Sequence, residues 1–357
     1  MSEQRDIFLV CDAIGGPDDG RRDLHRLGEL LASSGHRVRL IAVRAGGDRP
    51  EPAFETTVLT ARLRFRGGGR VISRLGEIFR SARPGGVVIV THPAAMEWVG
   101  RADTAGLKVV GVHRVPHAVA ETKPGYAQVL RDFARADRFL ALTREDADGW
   151  ARAGLSNADV IPDWFDTGAP EQAEPAPATG QVVLGPSVLT HDKGVDMLLE
   201  SWAVVARRQP SWRLRFHGTG PEEPRLRRMA AELGVDDSVE FHPAAQDPET
   251  TLSEASIVAL PSREEVFPEA LLAAMGHGLP VVAFDCSPAV REVLTGEVDG
   301  LLVDPGHTEQ FALALELLMT DEGLRDKLGR GARESVRRFS SENISARWNR
   351  LFTLLFR

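Results

Sequence analysis

Cysteine is scarce in this chain of 357 residues: only Cys11 and Cys286 occur, each at the end of an apolar run. Two distant thiols in strand-like settings imply buried, reduced side chains, and neither has partners at metal-ligand spacing. Long apolar runs are also missing. No stretch approaches the roughly 18 residues needed to span a bilayer, and the opening MSEQRDIFLVCDAIGG has neither the basic start nor the apolar length of a signal peptide. A cytoplasmic protein is expected. No G-x-G-x-x-G follows the first strand-like run, which argues against a nucleotide-dependent dehydrogenase. Lysine is rare, at four positions (Lys108, Lys123, Lys193, Lys327). The net charge of −8 argues against a nucleic-acid partner.

What is present is an ordinary globular composition, 43% hydrophobic and 26% charged, in a chain long enough for two domains. Charge is unevenly spread. Residues 62–83 carry seven arginines and one acid, Glu77, which makes that segment +6 and leaves −14 for the rest. Within it, RVISRLGEIFRSA places Val71, Ile72, Leu75, Ile78 and Phe79 on one helical face and arginines on the other. Packing on its own sheet is the simpler expectation. Peripheral contact of 62–83 with the anionic inner face of a membrane is the alternative.

Apolar strands alternate with helical patterns along the chain. DIFLVCDAI ends in a Gly-rich loop, a helix with Leu24, Leu27, Leu30 and Leu31 follows, and RVRLIAV is the next strand. GVVIVTH, LKVVGVH and ADRFLALT continue the series, predicting parallel α/β architecture. The pattern stops at residues 167–180, where three prolines and two glycines stand among alanines; that composition predicts a linker. A second series runs through QVVLGPSV, WRLRFHG, SVEFHP, SIVALPS, PVVAFD and GLLVDP. The last stretch, SENISARWNRLFTLLFR, predicts an amphipathic helix capped by Ser340 or Ser341. The expected division is a first Rossmann-like domain over 1–166 with a returning helix over 340–357, a linker over 167–180, and a second Rossmann-like domain over 181–339. Two such domains would face a cleft, with chemistry in the loops after the strands.

Those loops hold distinctive residues. Lys193, a point-charge lysine followed by Gly194 at a helix start, suits a phosphate. Glu264 and Glu265 precede a proline, where the chain is not yet helical. His113 ends a strand and His117 lies in the next loop. Gly218 and Gly220 either turn the chain or admit a ligand close to the backbone.

THDKGVDMLLESW, FHGTGPEEPRL, PSREEVFPEALLAAMGHGLPVVAFD, REVLTGEVDGLLVDP and FSSENISARWNRL together resemble the carboxyl half of a retaining glycosyltransferase of the GT-B fold, family 4. The resemblance covers nearly all of 181–350. The amino half is similar more loosely, through IGGPDDGRRDLHRLGELLASSGHRVRL. It implies a nucleotide-diphosphate sugar as donor, a saccharide, lipid-linked or small-molecule acceptor, and no metal or other cofactor. It implies Glu265 and His113 as catalytic-site residues addressing the donor sugar. Gly15, Gly16, Lys193, Gly218, Gly220, Phe267, Pro268 and Glu269 are implied as donor-binding. Two departures fall on donor contacts: Val188 replaces the family's arginine and Ala273 its second glutamate. Glu269, in the first helical turn, competes with a phosphate for the helix dipole. These three positions favour the alternative of a non-catalytic relative that binds an acceptor or a catalytic partner.

Overall fold

The computed structural model describes residues 4–14, 20–45, 54–60, 68–166, 180–245 and 248–357. The chain divides into two units, Met1–Pro162 with Ser341–Arg357, and Asp163–Ser340. The boundary falls a few residues before the expected 166. The reason is local: the Phe165 N–H donates to the Phe339 carbonyl at 2.9 Å, and its ring packs on the second unit's core. Of the expected linker, all but Gly180 lies outside the described residues.

The first unit holds strands β1 (Asp6–Ile14), β2 (Arg37–Ala45), β3 (Glu55–Thr60), β4 (Val87–Val90), β5 (Lys108–Val112), β6 (Arg138–Ala141) and β7 (Ala158–Val160). Their order across the sheet is β3-β2-β1-β4-β5-β6-β7, with every pairing parallel. The second unit holds β8 (Val182–Leu184), β9 (Arg213–His217), β10 (Val239–His242), β11 (Ile257–Leu260), β12 (Val281–Phe284) and β13 (Leu301–Val303). Its order is β10-β9-β8-β11-β12-β13, again parallel throughout. Counted from its own first strand, the second sheet repeats the first six positions of the first. Both are doubly wound α/β sheets, and both reverse direction at one point: between β1 and β4, and between β8 and β11.

The sequence forms these strands because helices cover both faces of a parallel sheet. β4, β11 and β12 are buried at every residue and read as unbroken apolar runs. β3 and β7 were not expected, and both lie at sheet edges. An edge strand is half solvated, so ETTVLT and ADV lack the apolar signal of the central strands.

The helix Gly68–Arg80 packs its apolar face on the sheet, as the simpler expectation has it. Val71, Leu75 and Phe79 are buried against β1 and β4 residues such as Phe8 and Val88, so its apolar face is not available to a lipid surface. Arg74 pairs with Glu77 and Arg80 with Asp103. Arg62, Arg64 and Arg66 lie outside the described residues. Among the described residues no helix is long and apolar enough to cross a membrane.

The final helix, Ser341–Leu355, belongs to the first unit, where Ile344, Trp348, Leu351 and Phe352 are buried. Burial of such side chains contributes about 1.5–3 kcal/mol each. A buried histidine fixes its register. His36 Nδ1 accepts the Arg5 N–H at 3.3 Å, its Nε2 bonds Asn349 Oδ1 at 2.8 Å, and its ring meets Phe352 edge-on. With Nδ1 an acceptor, Nε2 carries the proton and donates to Asn349.

Burial, with the Arg5 charge, holds the His36 pKa below the ordinary histidine value despite the Asn349 bond. The folded state therefore binds fewer protons than the unfolded chain. Stability from this site is complete above about pH 6.5 and is lost as pH falls toward the depressed folded pKa. Thermal unfolding at pH 7 and pH 5 should show a lower midpoint at pH 5. The drop should be smaller in His36→Gln, whose amide still accepts and donates without titrating. An equal drop in both proteins would remove His36 from the account.

Candidate functional site

In an open parallel sheet, ligands bind beyond the carboxyl ends of the strands where the strand order reverses. In the second unit that point lies between β8 and β11. The loop after β8 carries Lys193, and the loop after β11 carries Glu265. The topology thus brings two residues 72 positions apart to one place.

The contact is direct. Lys193 Nζ donates to Glu265 Oε1 at 2.7 Å, and the Ser262 hydroxyl donates to the same oxygen at 2.7 Å. The Glu265 side chain is 7% exposed and that of Lys193 26%, so the pair is largely withdrawn from water. Removing one partner of a buried ion pair leaves an uncompensated charge, at a cost of about 3–5 kcal/mol. The value here lies toward the lower end, because Lys193 keeps some solvent. Glu264, by contrast, is exposed. The two adjacent carboxylates do not act together. The Cys286 thiol, just beyond β12, is pushed up to about 11 by burial and then by the Glu265 charge.

Glycines allow these loops to touch. Gly194 has φ +64°, and a Cβ there would stand 1.9 Å from the Pro261 carbonyl oxygen. The loop after β8 also lies against the loop after β9. A Cβ on Gly218 would fall 1.5 Å from the Ser187 oxygen, and one on Gly220 2.2 Å from that of Leu189. The Leu189 N–H donates to Thr219, and the Glu222 N–H to Leu189. At Gly218 and Gly220 the missing Cβ makes room for the protein's own backbone. Val188, bridged to Thr219, is 48% exposed.

The helix Glu269–Gly276 begins without a side-chain cap. Pro268 has no N–H to offer, and the Glu269 N–H donates to the Phe267 carbonyl at 3.0 Å. These two positions therefore offer no free amide to a phosphate. Phe267 packs on the core and Glu269 is exposed. Ala273 is half-buried on this helix, its carbonyl accepting from His277 Nδ1 at 3.0 Å.

His113 ends β5 in the first unit. It is 8% exposed and boxed by Phe133, Phe139 and Trp150. Its Nδ1 accepts the Val115 N–H at 3.4 Å, which leaves the proton on Nε2. Burial first, then the positive charges of His92 and Lys123, lowers its pKa to about 4. Near neutral pH it is an uncharged Nε2–H donor and not an acid. His117 Nε2 bonds the Tyr126 hydroxyl at 2.9 Å, its N–H donates to Asp146, and its ring packs on Gly149. That histidine is structural. Gly15 and Gly16 lie outside the described residues. Among those described, no group of three or more His, Cys, Asp or Glu side chains could hold a metal ion.

Residues 169–335 match the family described as Glycosyl transferases group 1. Exopolysaccharide phosphotransferase SCO2592 of Streptomyces coelicolor is 34% identical over 271 residues, 75% of this chain. The chain spans 28% of that relative's length. Amylovoran biosynthesis glycosyltransferase AmsD of Erwinia amylovora is 24% identical over 360 residues, covering 96% of this chain and 98% of AmsD. HepE of Anabaena, solved in complex with UDP, superposes with a TM-score of 0.77 at 17% identity, covering 98% of this chain and all of HepE. The fold is that of the GT-B glycosyltransferases. The family match falls on the unit that holds Lys193 and Glu265.

Ser262, Arg263 and Asp196 were not picked out from sequence, although Arg263 stands in the same loop as Glu265 and Asp196 three residues after Lys193. Arg263 forks onto Asp196 with bonds of 2.8 and 3.0 Å. Burial works to raise the Asp196 pKa, but hydrogen bonds and charge from Arg263 and Arg225 outweigh it and hold the carboxyl below its ordinary range.

The Lys193–Glu265 bond yields a sharp expectation for stability. Lys193→Met strands the buried carboxylate on the Ser262 hydroxyl and should lower the unfolding free energy by about 3 kcal/mol. Glu265→Gln, whose amide oxygen still accepts both bonds, should cost less. Urea denaturation of the three proteins reads this, and equal stability of wild type and Lys193→Met would mean that the pair does not hold the two loops together.

Proposed function

We propose that this protein is a retaining glycosyltransferase of the family 4 type, moving a sugar from a nucleotide diphosphate to a hydroxyl acceptor. The observation that carries the reading is the meeting of Lys193 and Glu265 where the second sheet reverses. A cation for a diphosphate and a carboxylate for sugar hydroxyls are the two groups such a donor requires. The family match over 169–335 and the GT-B fold support it, and HepE was solved with UDP.

On this reading the bond between the sugar C1 and the β-phosphate oxygen breaks as the acceptor oxygen bonds to C1 on the same face. The acceptor proton passes to an oxygen of the departing diphosphate, and no side chain becomes covalently bound. Lys193 stabilises charge developing on the diphosphate. Glu265 accepts hydrogen bonds donated by the sugar hydroxyls and fixes the sugar's orientation. Catalysis is then positioning and electrostatic stabilisation. His113, uncharged near neutral pH, contributes a hydrogen bond and no proton. Val188 and Ala273 remove two donor contacts that the family usually provides, which lowers affinity without dismantling the Lys193–Glu265–Ser262 group.

Calorimetric titration with UDP, GDP, ADP and dTDP, each with and without a sugar, tests the reading. Lys193→Ala should weaken the preferred nucleoside diphosphate much more than the bare nucleoside, because the charge acts on phosphate. Equal losses would sink the assignment of Lys193. Ala273→Glu should tighten the donor by about 1–3 kcal/mol through new bonds to ribose hydroxyls. If neither wild type nor Ala273→Glu binds any nucleotide, the protein is a non-catalytic relative.

A further inference from the structure

Arg263 makes four hydrogen bonds that bracket Lys193 on both sides. Its backbone N–H donates to the Asp192 carbonyl at 2.7 Å, and one terminal nitrogen to the His191 carbonyl at 2.7 Å. The same nitrogen and its twin reach Asp196 Oδ1 and Oδ2 at 2.8 and 3.0 Å. On its own loop Arg263 stands between Ser262 and Glu265, the residues at the other end of the lysine's bond. One side chain thus spans the two loops that meet at the donor site.

We infer that Arg263 is a positioning residue: by clamping the residues before and after Lys193 to the loop of Glu265, it sets where the lysine charge stands. The inference rests on the donor-site reading of Lys193 and names no new ligand. The physical reason for arginine is the fork. A planar guanidinium satisfies both oxygens of one carboxylate and still has N–H groups for a carbonyl, whereas an ammonium has neither the reach nor the flat geometry. The Arg263 side chain is 29% exposed and that of Asp196 15%, so the clamp is partly shielded from the water that weakens surface pairs. Arg225 adds a longer bond to Asp196 at 3.2 Å from the solvent side. We do not read Arg263 as a phosphate ligand, because three of its five guanidinium N–H groups already serve Asp196 and His191. Nor is it a second copy of the arginine that Val188 replaces, because it acts across the loops and not from the 187–189 segment.

The clamp has a readout that needs no nucleotide. Lysine is present at four positions, so reductive methylation followed by peptide mass spectrometry can time each one. In wild type, Lys193 should react slowly beside Lys108 and Lys327. In Arg263→Gln its rate should rise several-fold while theirs stay constant, and Asp196→Asn, which cuts the clamp from its other end, should do the same. Arg263→Lys keeps the charge and should fail to restore the slow rate. Unchanged Lys193 labelling in Arg263→Gln and Asp196→Asn overturns the inference, whether or not a nucleotide binds.

Titration with UDP and with uridine then separates positioning from contact. Arg263→Gln should lower UDP affinity about tenfold and leave uridine unchanged. In a Lys193→Ala background the same substitution should cost nothing more. Additive losses would place Arg263 on the phosphate itself and overturn positioning. Absence of UDP binding by wild type would count against the donor reading, while the labelling result still decides the clamp.

Discussion

The bond between Lys193 and Glu265 is the constraint on which the carboxyl edge of the second unit depends. A carboxylate that is 7% exposed must have partners, and here it has two, an ammonium and the Ser262 hydroxyl. Bringing Lys193 within 2.7 Å forces two loops into van der Waals contact, which is why residue 194 is glycine in a left-handed conformation against Pro261. The same proximity makes the Arg263–Asp196 fork possible. The loop after β9 is drawn in through Gly218 and Gly220, whose missing side chains let its backbone lie on residues 187–189. Each of these features would be costly alone and is stabilised by the others.

The architecture was legible because parallel sheets are covered on both faces. Central strands such as Val87–Val90 and Ile257–Leu260 could be nothing but buried, and their spacing by helical patterns gave the doubly wound form. β3 and β7 escaped notice for the complementary reason. At an edge, half the side chains face water, and ETTVLT reads as a polar connection. Lys193 and Glu265 could be singled out as residues facing one ligand, but not as partners. Nothing in a linear pattern shows that groups 72 positions apart share a hydrogen bond. Arg263 and Asp196 were invisible on the same ground, being 67 positions apart. A single chain also does not distinguish a glycine that admits a ligand from one that admits the neighbouring loop. Gly218 and Gly220 each admit the neighbouring loop.

The two units place opposite electrostatics at the carboxyl ends of different strands, β8 and β11 in the second and β5 in the first. In the second, the strand-end group is a charged pair held by salt links and half-shielded. In the first, His113 leaves β5 into a box of aromatic rings, and burial together with His92 and Lys123 strips it of charge. Its Nδ1 is committed to Val115, so only the Nε2–H remains to donate. A neutral donor of this kind discriminates by direction and cannot attract an anion from a distance. The Lys193 site can do so, but only once its own carboxylate is satisfied by something else.

That condition follows from the charges at the site. Lys193 is neutralised by Glu265 and Arg263 by Asp196, so these four residues together offer a diphosphate no net positive charge. A ligand that took only the lysine would strand a buried carboxylate on a single serine hydroxyl, and the desolvation cost of that carboxylate would oppose binding. On the proposed reading, a ligand that brings sugar hydroxyls along with its diphosphate avoids the cost, because its hydroxyls donate to Glu265 as its phosphates take Lys193. The pair then exchanges one internal bond for two external ones. Recognition of the two halves of the donor becomes coupled through a single oxygen atom, Oε1 of Glu265. On that same reading, the replacement of two family donor contacts by Val188 and Ala273 makes that coupling carry a larger share of selectivity for an intact nucleotide sugar over its product diphosphate.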